Sequence, residues 1–165
     1  MSELTENRQM LAANHTIAGE LIETGTMSCF EYASYRVGGE VLHRIKAVGP
    51  IGIRERLPLY QVIAGQSPSG ALFAILDNHQ RHENSLSIED MDAIVAVLKA
   101  GGVTAFYGAT VTRDPDYGKI GKLANAHIVL SGLGGRVIVT GDPEEAEIFM
   151  QEMLSAHAAA RGEQA

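Results

Sequence analysis

Six consecutive apolar residues, Ala71-Leu72-Phe73-Ala74-Ile75-Leu76, suit a strand in the middle of a sheet whose two faces are both covered. The run stops at Asp77, and residues 78–85 are all polar. Ser87-Ile88-Glu89-Asp90 then opens a helix, with Ser87 as the cap and Asp90 at the capping-box position. Met91, Ile94, Val95 and Leu98 follow at i, i+3, i+4 and i+7, and Gly101-Gly102 closes the segment. A buried strand, a polar loop and an amphipathic helix in that order predict an α/β fold. In open α/β sheets the crevice beyond the carboxyl ends of the strands is where ligands meet the fold.

The remaining elements extend this pattern. Phe30 to Arg36 and Val41 to Val48 flank Gly38-Gly39, a dipeptide suited to a tight hairpin turn. A helix is predicted after Gly52, its main part from Pro58 to Ala64, because proline lacks an amide donor and belongs in a first turn. Val103 to Val111 and Arg136 to Thr140 read as strands. Asp114-Pro115 and Asp142-Pro143 each pair a cap acceptor with a proline and predict helices, the first placing Ile120, Leu123, Ala124 and Ile128 inward. Gly118, Gly121 and Ala124 offer a small surface for close packing on that helix. The predicted fold is a mixed β-sheet starting with an antiparallel hairpin, with helices packed on the sheet. Residues 27–158 form its single domain, 1–26 a helical or partly disordered extension, and 159–165 a frayed tail.

Charge narrows the function. Thirteen Lys and Arg against twenty Asp and Glu give a formal charge of −7, a field that disfavours nucleic acid and anionic membrane surfaces. The one cysteine, Cys29, permits no internal disulfide, so a reducing cytoplasm is the expected compartment. No segment reads as a signal peptide or a membrane span. Gly132-Leu133-Gly134-Gly135 precedes a strand, so it reads as a helix-to-strand turn; phosphate-binding glycines lie between a strand and its following helix. His79 and His82 fall short of the three or four orienting ligands of a zinc site, and no catalytic set, metal or cofactor is predicted. Ser85 and Ser87 lack a G-x-S-x-G elbow.

Three segments carry a family resemblance: Ala71 to Asp77 before its loop, Ser87-Ile88-Glu89-Asp90-Met91, and Arg136-Val137-Ile138-Val139-Thr140 before Asp142-Pro143-Glu144-Glu145. Together they resemble the STAS class, the domains of anti-sigma-factor antagonists, and their SpoIIAA-like relatives. The resemblance implies a sheet covered on one face by helices and a non-enzymatic role in protein binding. It also implies a phosphorylatable Ser or Thr at the start of the second long helix. Asn84-Ser85-Leu86-Ser87 stands there, without that motif's aspartate and glycine, so Ser85 and Ser87 are the candidate phosphoacceptors.

The leading expectation is a regulatory module that contacts a protein partner through the loop from Asp77 to Ser87. The contact set is Asp77, Asn78, His79, His82, Ser85, Ser87 and Thr112. The alternative is a small-molecule binder or minor enzyme using the crevice at the carboxyl ends of strands 71–77 and 103–112, with His79 or His82 as acid, base or ligand. A homo-oligomer completed by the amino-terminal extension is a third expectation.

Overall fold

The computed structural model describes residues 17–162 of the 165-residue chain. Its strands are β1 (Glu20–Met27), β2 (Phe30–Val37), β3 (Glu40–Ala47), β4 (Ala71–Asp77), β5 (Ala105–Val111) and β6 (Gly134–Thr140). Its helices are α1 (Ile53–Ala64), α2 (Ile88–Ala100), α3 (Tyr117–Ser131) and α4 (Pro143–Gly162). The strands lie in the sheet in chain order. β1, β2 and β3 are antiparallel neighbours, and β3 to β6 run parallel, joined through helices. The mixed sheet with an antiparallel opening is therefore as predicted, with Gly38-Gly39 at the β2–β3 turn.

Its opening is one strand longer than predicted. Glu20 to Met27 form β1, paired with β2 across a bulge between Leu21 and Glu23, where an extension was expected. The domain thus includes residues 20–26, while the part of the predicted extension before residue 17 lies outside the described residues. At the other end α4 continues to Gly162, so residues 159–162 are helical and not a frayed tail.

Two layers of helix cover the sheet. Leu59 and Ile63 of α1, Leu98 of α2 and Ile128 of α3 pack on Phe30, Ile45, Leu72, Ala74 and Leu76. On the opposite face, Ala146, Phe149, Met150 and Leu154 of α4 pack on Leu42, Phe73, Ile75, Ala109 and Val111. Successive β4 side chains alternate between these two cores, which is why the strand has no polar face. The single covered face implied by the family resemblance is corrected here: α4 takes the second face.

Local chemistry explains the helix boundaries. Ser87 and Asp90 form the predicted capping box, with Asp90 N donating to Ser87 Oγ at 3.1 Å and Ser87 N to Asp90 Oδ2 at 3.0 Å. α1 starts at Ile53 and carries Pro58 in its interior, five residues earlier than predicted, because Gly52 N donates to Glu55 Oε2 at 2.9 Å and Arg56 N to Gly52 O at 3.1 Å. α3 starts at Tyr117, since Asp114 accepts from Asp116 N in a preceding turn. Gly121 faces β6 so closely that an added Cβ would meet Val139 Cγ2 at 2.7 Å, whereas Gly118 faces open space. Leu123, predicted to point inward, is 51% exposed.

Candidate functional site

The polar loop after β4 is held in a defined shape by its own residues. Asn78 is buried at 2% exposure, and its amide bridges the loop: Nδ2 donates to His82 O and Oδ1 accepts from His82 N, both at 3.0 Å. Its backbone N donates to Val111 O at 2.8 Å, tying the loop to the end of β5. Asp77 Oδ1 accepts from His79 N at 3.0 Å and lies 2.7 Å from His79 Nδ1, an arrangement that orients the exposed imidazole. His82 Nε2 lies 3.1 Å from Gln80 Oε1. Thr112 is buried, with its backbone N on Thr140 O and its Oγ1 accepting from Asp114 N.

The far arm of the loop is pinned to the start of α1. Ile51 N donates to Glu83 O at 2.6 Å, and Ser85 N donates to Ile51 O at 3.1 Å. Of the predicted contact residues, Asp77, Asn78, His79 and His82 therefore form one cluster beside β5, with Thr112 next to it. Ser85 and Ser87 are exposed on the other arm, Ser87 as a helix cap. Among the described residues, no group of three or more His, Cys, Asp or Glu side chains could hold a metal ion.

Beneath that arm lies a feature that inspection of the loop alone does not reveal. A cavity of about 100 Å³ lies between the sheet and α1, α2 and α3. Its walls are largely apolar, including Leu59, Leu76, Ile94, Leu98, Phe106 and Ile128. It reaches the carboxyl edge of the sheet, where Thr110, Arg56 and Tyr117 line it.

Arg56 dominates this edge. Its residue exposure is 4%, and no carboxylate among the described residues is its partner. Nη2 donates to Asn84 Oδ1 and, at 3.1 Å, to Tyr117 OH; Nη1 reaches Tyr60 OH at 3.4 Å. Burial works against the charged guanidinium, but the Tyr60 and Tyr117 oxygens more than offset it, and the pKa lies above its ordinary value. Arg56 Nε and Asn84 Nδ2 are buried donors without a hydrogen-bond acceptor among the described residues. His127, also on the cavity wall, brings Nε2 within 2.9 Å of Asp92 Oδ1 without hydrogen-bond alignment.

Arg56 is not among the residues singled out from the sequence. Its position three, four and seven residues before Leu59, Tyr60 and Ile63 was the available signal, because that spacing places a cation on the inward stripe of α1.

No family model and no curated protein matches this chain. Among solved structures, it is similar to an uncharacterised protein of the DUF3478 family with a SpoIIAA-like fold from Shewanella loihica PV-4. The two share 14% identity, with 78% of this chain and 98% of that one covered and a TM-score of 0.49. The likeness concerns fold alone. No helix among the described residues is long and apolar enough to cross a membrane.

Proposed function

We propose that this protein binds a small apolar molecule in the crevice between the sheet and the layer formed by α1, α2 and α3. The supporting observation is the apolar cavity that reaches the carboxyl edge of β4 and β5, the location at which open α/β sheets meet ligands. At about 100 Å³ it is smaller than the roughly 300–1,000 Å³ of drug-sized pockets, so its occupant is small. The loop from Asp77 to Ser87 receives less support as a protein-contact surface, because the inward groups of Asn78 and the backbone of residues 83–85 are spent on internal bonds.

Native mass spectrometry of protein purified gently from its own cells, set against its denatured mass, tests this reading. The expected result is an added small mass that is absent from Ala124→Leu, a substitution that thickens the cavity wall with a helix-compatible side chain. A bare chain mass in both proteins, or an added mass retained by Ala124→Leu, would overturn it.

A further inference from the structure

We infer that Asn125 of α3 guards the outer edge of β6, closing a strand-pairing surface through which two copies of this chain would otherwise join. Among the described residues β6 ends the sheet, with β5 as its one strand neighbour. A strand in that position presents unpaired N–H and C=O groups, a template on which another strand can add. Arg136-Val137-Ile138-Val139-Thr140 raises the hazard, since it is rich in β-branched residues and carries a single charge. Val129, one turn beyond Asn125 on the same side of α3, is 77% exposed and offers apolar surface beside the edge.

The direction of the backbone groups defines what Asn125 does. Gly134 N donates to Thr104 O at 2.9 Å and Thr140 O accepts from Thr112 N at 2.9 Å, so the even-numbered residues of β6 turn their backbone groups toward β5. By the alternation of a strand, Gly135, Val137 and Val139 turn theirs outward. At the middle one, Asn125 Nδ2 donates to Val137 O at 2.7 Å and Val137 N donates to Asn125 Oδ1 at 2.8 Å. One carboxamide thus fills both positions that a neighbouring strand would use. Gly135, at φ +112°, departs from strand geometry, so with Val137 occupied no two successive outward positions remain for a ladder. Asparagine is a poorer helix former than alanine, and its place inside α3 is offset by this pair of bonds. The excluded occupant is a second β6 running antiparallel, with Val137 opposite Val137 and exchanging the same two bonds. That two-fold arrangement sets Arg136 against Ile138 and opposes no like charges.

Sedimentation of the full chain and of Asn125→Ala, from about 1 μM to about 1 mM, tests the inference over the range of ordinary weak association. The variant is expected to reach twice the mass of the unaltered protein as its concentration rises. Hydrogen exchange supplies a second readout. At the dilute end the Val137 amide is expected to exchange about tenfold faster in the variant, the equivalent of one lost hydrogen bond, and at the concentrated end to regain protection from the second copy. Adding Val137→Pro, which deletes the outward N–H, is expected to return Asn125→Ala to the unaltered mass. If the doubly substituted chain does not fold, the concentration dependence of Val137 exchange in the single variant decides. Equal masses for Asn125→Ala and the unaltered protein at every concentration overturn the inference, and leave Asn125 as a tie between α3 and β6. Association that survives Val137→Pro, or that leaves Val137 exchanging at its dilute rate, also overturns it by placing the contact elsewhere.

Discussion

His43 has no exposed surface, and its Nδ1 lies 2.7 Å from the hydroxyl of Ser34, itself fully buried. Nε2 has no hydrogen-bond partner among the described residues, and burial lowers the pKa from 6.5 to about 4. The folded state therefore keeps the ring neutral while the unfolded chain takes up a proton near pH 6.5. Stability is retained above that pH and lost as pH falls from 6.5 toward 4, by an amount on the order of 3 kcal/mol from this group. Urea unfolding at pH 7 and pH 5 should show the loss in the unaltered protein and a flatter dependence in His43→Gln. An identical slope in both would remove the assignment. The same interior explains what could be read at single positions. Ser87 declared its role because a cap depends on neighbours three residues away. Arg56 did not, because its partners Asn84 and Tyr117 lie 28 and 61 residues along the chain.

Among the elements, β4 and α2 were the most legible and β1 the least, for opposite reasons. β4 is buried on both sides and therefore uniformly apolar, whereas β1 is an edge strand whose residues are mostly exposed, so no period distinguishes its two faces. The β6 segment shows another limit. Gly135 looked like part of a turn but belongs to the strand at φ +112°, where an added Cβ would lie 1.9 Å from Phe106 O. That requirement comes from Phe106 of β5, far earlier in the chain. The ionic part of α4's attachment was also hidden, since the Arg44–Glu147 pair spans 103 positions. Side-chain exposures of 12% and 5% make this a secluded bridge. Glu147→Ala should destabilise the fold by ~3–5 kcal/mol, because it leaves the guanidinium unpaired. Ser87→Ala, which removes only a cap, should cost ~1 kcal/mol. Denaturant midpoints for the two variants would test both the magnitudes and their order.

At the level of the whole domain, α4 closes the second core. Phe149 is 7% exposed and Met150 0%, and opposite them Phe73 is likewise at 0%. Burial of each such side chain is worth roughly 1.5–3 kcal/mol, against a total stability of about 5–15 kcal/mol for a domain. A chain ending at Gly141 should therefore lose its cooperative urea transition and associate through the uncovered face, as seen by light scattering. A sharp transition with a monomeric mass would show that the first helical layer suffices. The strand order carries a consequence for synthesis. Each strand lies beside the one before it, so a chain emerging from the ribosome can add strands to one growing edge without waiting for a distant partner. The helix that covers Phe73 follows all six strands, so until α4 emerges the side of the sheet it will cover stays bare.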